Sequence, residues 1–137
     1  MKKILIAILV IGLVGCSSNA VQPNQAQDVP SNQALKHQHP FEKSVQLIVV
    51  RDAMTLASPC LATVYVNKEA SAKLSAGQKA TLYLPAGDVT LGAGLEGDGL
   101  CKASRPVQER DFILREGGPK AIRIFFDRSG YADLKPF

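Results

Sequence analysis

Short apolar runs, each closed by a turn-forming residue, are the feature that most constrains the fold of this 137-residue chain. Residues 45–51 read VQLIVVR, and residues 61–67 read LATVYVN and end at a turn-forming Asn. AIRIFF at 121–126 alternates, so that Ile122, Ile124 and Phe126 share one face. Runs of this length and composition are typical of β-strands rather than helices.

Residues 79–94, KATLYLPAGDVTLGAG, predict two strands joined by a turn at residues 85–88. Pro85 presets one turn dihedral, and Gly87 supplies the positive φ that such turns require. In the first arm, the strand period places alternate side chains on opposite faces. Ala80, Leu82 and Leu84 share one of these faces, and Thr81 and Tyr83 share the other.

The segment PVQERDFILRE at 106–116 is compatible with either a helix or a strand. Its polar first half could be helical, but an apolar run followed by Gly117 and Gly118 suits a strand and a turn. The residues 127–130 predict a further turn before a short last strand, YADLK. Because no long amphipathic helix is present, we predict an all-β fold, a small antiparallel β-sandwich of about seven short strands.

The amino terminus has the pattern of an export signal. Lys2 and Lys3 precede an apolar run from Ile4 to Val14, which is too short to span a bilayer as a helix. The run ends in LVGC, which resembles the lipobox of bacterial lipoproteins. The resemblance implies that Cys16 accepts a diacylglyceryl group and that the chain is cleaved before it.

The residues after Cys16 are serines rather than the Asp that tends to retain enteric lipoproteins in the inner membrane. This resembles the pattern sorted to the outer membrane, so we expect a lipid anchor on the periplasmic face of that membrane. We expect two partners: the membrane, to which the lipid anchors the protein, and a protein of the cell envelope.

Three regions follow along the chain: a cleaved signal peptide at 1–15, a lipidated Cys with a flexible tether at 16–40, and a β-sandwich at 41–137. The tether prediction is based on Val21 to His39, which is rich in Asn, Gln, Pro and Ser. Such a segment has little apolar surface to offset the entropy of ordering.

Cys60 and Cys101 remain as an even pair in an exported chain, which favours a disulfide. A metal pair or a reactive thiol are the alternatives. No CxxC motif is present, and no His lies near either cysteine in the sequence.

Residues 64–94, VYVNKEASAKLSAGQKATLYLPAGDVTLGAG, resemble the plan of PEGA-like small β-sandwich modules. Gly77, Leu84, Pro85, Gly87 and Leu91 hold the places of that plan. Residues 101–136, CKASRPVQERDFILREGGPKAIRIFFDRSGYADLKP, resemble the second half of uncharacterised proteobacterial lipoproteins. These resemblances imply a non-enzymatic envelope module.

The motif GAGLEG at 92–97 matches the dinucleotide pattern G-x-G-x-x-G, but no helix is predicted after it. Glu96 and Asp98 would repel phosphate, so we interpret the motif as a flexible loop beside the disulfide. His37 and His39 could offer two metal ligands, but two ligands in a flexible tether make a weak site, so we interpret them as part of a solvated linker. We therefore predict neither a cofactor nor a metal.

No pattern of a catalytic site is present. Both histidines precede the predicted domain, so Ser58 has no partner for a Ser-His nucleophile. Glu109 and Asp111 share a strand face, as solvated carboxylates commonly do. The basic residues are scattered among the acids, which argues against a nucleic-acid surface.

Two function classes remain after this search. We predict a non-catalytic structural or binding module. The alternative is a periplasmic inhibitor, because DRSGYADL resembles the Ser-Gly-x-x-Tyr loop of membrane-bound lysozyme inhibitors. In that interpretation Ser129 and Tyr131 would act on lysozyme, although Tyr131 follows Gly130 directly.

Overall fold

The structure, a computed structural model, describes residues 18–53, 60–97, 101, 106–117, 120–127 and 131–137. The strands within these residues are β1 (Gln27–Asp28), β2 (Val45–Arg51), β3 (Leu61–Val66), β4 (Glu69–Leu74), β5 (Gln78–Leu84), β6 (Gly87–Glu96), β7 (Gln108–Leu114), β8 (Lys120–Phe126) and β9 (Ala132–Pro136). A short 3-10 helix spans Ser31–Gln33. No helix in these ranges has the length and apolar character needed to cross a membrane.

Two sheets pack face to face and form a β-sandwich, which confirms the predicted fold class. The first sheet has the strand order β1-β5-β2-β8-β9, and the second has the order β4-β3-β6-β7. Most neighbouring strands are antiparallel, but β1 runs parallel to β5 and β2 runs parallel to β8. After β2 the chain crosses to the second sheet for β3 and β4, returns for β5, crosses again for β6 and β7, and returns at β8 beside β2. The first sheet is therefore mixed, because β8 enters it parallel to β2.

The core lies between the sheets and follows the period-two pattern of the strands. Alternate residues of β5 are buried, as are Ile122, Ile124 and Phe126 of β8, which confirms the predicted inward faces. The ambiguous segment at 106–116 contains strand β7 rather than a helix. Phe112 is partly buried and packs against the core. Pairing with β6 decided this segment, because its local sequence was compatible with both states.

The sandwich has two ends, which we name from the strand directions. At the proximal end, β2 and β8 finish and Cys60 precedes β3. At the distal end, Val45 pairs with Leu84, and the β5–β6 turn passes from one sheet to the other. Gly87 in this turn has φ +119°, which confirms the predicted need for a glycine.

Strand β4 was not predicted from the sequence, because EASAKL contains small and charged residues instead of a β-branched run. It is specified by the two-residue turn before it, in which Asn67 and Lys68 have φ +47° and +71°. Positive φ at both central residues matches the twist of a tight hairpin. The turn is anchored to β6, because the backbone N–H of Asn67 donates to the carbonyl of Thr90 over 2.8 Å.

Residues 18–40, which we call the strap, are ordered along the sandwich, so the prediction of a flexible tether is wrong for them. Gln27 pairs with Gln78 of β5, and Ala34 bridges Ala72 of β4. Near the distal end, the N–H of Tyr83 donates to the carbonyl of His37 over 2.8 Å. The strap thus lies along one edge of each sheet, beside β5 in the first and β4 in the second.

The composition of the strap misled the prediction because backbone hydrogen bonds to the sheet edges order it, although Ala26 is buried and Val29 packs against the core. The unpaired backbone N–H and C=O groups of an edge strand can form hydrogen bonds with the backbone of another segment, and these bonds do not depend on the side chains of that segment. The described part of the folded unit therefore begins at Ser18 rather than at residue 41.

Candidate binding site

An open groove of about 620 Å³ lies on the second sheet toward the distal end. It is lined by Asn67, Asp88, Val89, Thr90, Asp111, Phe112 and Ile113. The register of β6 against β7 brings these residues together, because it pairs Asp88 with Ile113 and Thr90 with Asp111. Among the described strands, β7 is the edge of its sheet, so in this part of the chain one side of the groove has no paired strand.

Side-chain hydrogen bonds hold the middle of the groove in one shape. The backbone N–H of Thr90 donates to Asn67 Oδ1 over 3.0 Å, and Thr90 Oγ1 donates to Asp111 Oδ1 over 2.6 Å. A single threonine therefore ties the β3–β4 turn to the edge strand.

The lining combines exposed carboxylates with apolar surface. Asp88 and Asp111 are exposed, and the side chain of Ile113 is 52% exposed although it is large and apolar. Lys, Arg, His, Cys and Ser do not occur among the residues that line the groove. The groove thus offers negative charge beside aliphatic and aromatic surface, which suits non-covalent binding of a cationic, partly apolar segment.

The GAGLEG motif lies mostly within β6, so the interpretation as a loop is wrong up to Glu96. Gly92 and Gly94 face outward, and a Cβ at either position would meet a Val107 side-chain carbon at 3.0 and 3.1 Å. The Tyr65 ring also lies beside Gly94. The two glycines therefore form a shallow trough that Val107 and Tyr65 fill.

The hydroxyl of Tyr65 donates to Glu96 Oε1 over 2.8 Å, and Lys73 Nζ lies 3.1 Å from Glu96 Oε2. Burial and the bond to Glu96 raise the pKa of Tyr65. Burial favours the protonated form of Glu96, but the hydrogen bonds from Tyr65 and Lys73 outweigh it and lower the pKa of Glu96. These groups satisfy one another on the outer face of the second sheet, which indicates a structural role.

Cys60 and Cys101 form a disulfide with Cα atoms 5.2 Å apart, as predicted. The bridge lies at the proximal end, where Leu61 of β3 pairs with Glu96 of β6. Gly97 has φ +139°, and a Cβ there would lie 2.7 Å from the Cβ of Cys101. The third glycine of the motif thus makes room for the disulfide.

A second groove, of about 440 Å³, lies where the edge strands β7 and β9 of the two sheets approach. Arg110 donates from Nε and Nη2 to the carboxylate of Asp133 over 2.9 and 2.8 Å. These hydrogen bonds from Arg110 are the largest cause of the lowered pKa of Asp133. The pair links the two sheets across this edge.

The other predicted site residues do not form a common site. His37 and His39 lie in the strap, and the described ranges hold no cluster of three or more His, Cys, Asp or Glu side chains suited to a metal. Glu109 and Asp111 both lie on β7, but Asp111 is bonded to Thr90. Tyr131 closes the β8–β9 connection, where its N–H donates to Asp127 Oδ1 over 2.9 Å.

Of the positions discussed from the sequence, Cys16, Ser58, Asp98 and Ser129 lie outside the described residues. The sequence did not reveal the distal groove, because its residues come from strands β6 and β7 and from the β3–β4 turn, and the pairing register of these elements is a tertiary property. The sequence held one usable signal of the groove: Ile113, a large apolar residue on the same strand face as the charged residues Glu109 and Asp111.

No protein-family model matches the chain, and a search of curated proteins found no similar sequence. The resemblances to PEGA-like modules and to lipoproteins therefore stay predictions.

Proposed function

We propose that this protein is an outer-membrane lipoprotein, anchored through Cys16 on the periplasmic face, that acts as a non-catalytic binding module. Its ligand in this proposal is an extended segment of an envelope protein that carries basic and aliphatic residues. The distal groove is the binding site.

The observation that supports this proposal most directly is the chemistry of the groove. Asp88 and Asp111 supply two carboxylates with no lysine or arginine among the lining residues, and the exposed Ile113 supplies apolar surface in the same groove. An extended segment with alternating basic and aliphatic residues matches both features. The open edge of β7 gives such a segment a strand to lie against.

Binding of defined peptides to the mature domain tests the proposal. We expect a peptide of about nine alternating Arg and Val residues, long enough to follow β7, to bind. A Glu and Val peptide of equal length should not. Affinity should fall as salt rises, because the attraction involves exposed charges.

Substitution of the groove carboxylates locates the site. The double variant Asp88→Asn, Asp111→Asn should weaken peptide binding by about five- to thirtyfold, which is the effect of two exposed charge pairs. Glu109→Gln is the matched control, because Glu109 lies on the same strand outside the groove lining. Equal affinities for all three proteins, or binding of the acidic peptide, would refute the proposal.

A turbidity assay with lysozyme distinguishes the proposal from the inhibitor alternative. We expect full lysis at excess protein. Inhibition of lysis would instead favour the resemblance at residues 127–134, of which 128–130 lie outside the described ranges.

A further inference from the structure

We propose that the proximal end of the sandwich is mounted directly on the membrane, so that the protein has a fixed orientation and its distal groove faces away from the bilayer. This inference rests on the proposed lipid anchor at Cys16. In this proposal the domain is not connected to the lipid by a mobile tether. Instead, the start of the strap is bound to the ends of strands β2 and β8, a contact that we call the clamp.

The clamp is formed by side-chain and backbone hydrogen bonds of Ser18 and Asn19. Ser18 Oγ donates to Asp52 Oδ2 over 2.7 Å and accepts a 3.1 Å bond from the backbone N–H of Phe126. Asn19 exchanges two backbone hydrogen bonds with Ala53, of 2.8 and 2.9 Å. Two successive residues are therefore held by the ends of two neighbouring core strands.

Asp52 gives the clamp its rigidity. Its side chain is fully buried, and it accepts hydrogen bonds from Arg123 Nε, at 3.0 Å, and from Arg123 Nη2. The backbone N–H of Asp52 donates to the carbonyl of Ile124 over 2.9 Å. A buried carboxylate is stable only when its oxygens have hydrogen-bond partners. Arg123 supplies two of the hydrogen bonds to Asp52, and the hydroxyl of Ser18 supplies another.

The clamp leaves little chain between the domain and the lipid. Cys16 precedes Ser18 by two residues, which span about 7 Å when fully extended. A mobile tether of about 25 residues would instead have a root-mean-square length of about 28 Å. The position of Ser18 therefore fixes which end of the sandwich is near the bilayer.

The strand directions then place the groove. Strand β6 runs from Gly87 at the distal end to Glu96 at the proximal end, and its ten residues span about 30 Å. With the proximal end at the membrane, the groove lies about that far from the bilayer surface. A basic segment of another envelope protein could then reach it without competing with the lipid headgroups.

Energy transfer to labelled lipids measures this orientation in the lipidated full chain, reconstituted in phosphatidylethanolamine–phosphatidylglycerol vesicles. A donor dye is placed at Asn24→Cys, near the proximal end, or at Glu116→Cys, at the distal end, both exposed positions. We expect strong transfer from position 24 and weak transfer from position 116.

An insertion of about eight Gly and Ser residues between Ser17 and Ser18 is the matched variant. It keeps Cys16, Ser18 and Asp52 but lengthens the reach by about 27 Å. We expect this variant to lose most of the difference between the two dye positions. Ser18→Ala, which removes both hydrogen bonds of the Ser18 hydroxyl and leaves the sandwich folded, should reduce hydrogen-exchange protection at Asn19 and Ala53.

Equal energy transfer from both dye positions in the unmodified chain would overturn the mounting, and the proposals of the lipid anchor and the groove would remain. The mounting would also be overturned if the insertion left the difference between the two dye positions unchanged. A chain that fails to float with the vesicles would overturn both the anchor and the mounting. Peptide binding to the groove is measured on the mature domain, so its failure is recognised separately.

Discussion

The guanidinium of Arg51 donates a 2.7 Å hydrogen bond from Nη1 to the carbonyl oxygen of Leu74, which joins the two sheets through a fully buried side chain. The same nitrogen also donates to the carbonyl of Cys60, and the Phe126 ring centroid lies 5.2 Å from the guanidinium carbon. Burial lowers the pKa of Arg51 to about 10, so the group stays charged at neutral pH. A buried cation thus fastens β2 to the start of β3 and the end of β4.

Arg51→Met should lower the free energy of unfolding by about 3 kcal/mol, because it leaves two buried carbonyl acceptors without these donors. Urea denaturation of the mature domain measures the change. Arg115→Met is the control, since Arg115 is exposed and its loss should change stability by no more than about 0.5 kcal/mol. Equal midpoints for the two variants would show that Arg51 is not the joint between the sheets.

Gly92→Ala should destabilise the domain by about 1–2 kcal/mol, because the new methyl would lie 3.0 Å from a Val107 carbon and 3.2 Å from the Tyr65 Cβ. Thermal denaturation checks this change. The double variant Gly92→Ala, Val107→Ala should recover part of the loss, because it removes the nearer contact. No recovery would mean that the strand geometry, rather than the filled trough, requires glycine at this position.

Reduction of the Cys60–Cys101 bridge should lower stability by roughly 4 kcal/mol, the chain-entropy estimate for a loop of this length. The two cysteines are 41 positions apart in the sequence. Far-ultraviolet circular dichroism should still show the sheet under reducing conditions, because the core residues are independent of the bridge. Loss of the sheet signal at room temperature would show that the bridge is needed for folding itself.

His37 should make the strap sensitive to mild acid. Burial, assisted by the charge of Lys36, lowers the pKa of His37 below its usual value. The unfolded chain therefore binds the proton first as pH falls through about 6.5, and stability decreases with falling pH in that range.

Thermal midpoints between pH 7.5 and 5.5 measure this effect against His37→Asn. Asn is the matched replacement because residue 37 has φ +60°, which Asn tolerates better than most residues. The unmodified domain should lose more stability over this pH range than the variant. Parallel pH profiles would exclude His37 as the cause.

Cys16→Ala should abolish lipidation, because the thiol that accepts the lipid is absent. Metabolic labelling with a fatty acid and phase partitioning in detergent measure the result. We expect no acyl label and recovery of the protein in the aqueous phase. Acyl label on the substituted chain would contradict the lipobox interpretation.

Local sequence predicted the strands that bury an alternating apolar face, such as Gln78–Leu84 and Lys120–Phe126. Period-two burial is encoded within one strand, so no knowledge of its neighbours is needed. The turn glycine at 87 and the cysteine pair were also readable, because backbone sterics and disulfide chemistry depend on residue type.

Tertiary structure decided what depends on pairing between distant segments. The strap is polar and has no strong strand pattern, yet its backbone is ordered because two sheet edges present unpaired hydrogen-bonding groups to it. Asp88 and Ile113 line one groove because β6 pairs with β7 in that register. The sequence by itself determined the kind of strands and the bridge, whereas the edge partners, the groove and the clamp at Ser18 depend on long-range hydrogen bonds that local residue patterns do not encode.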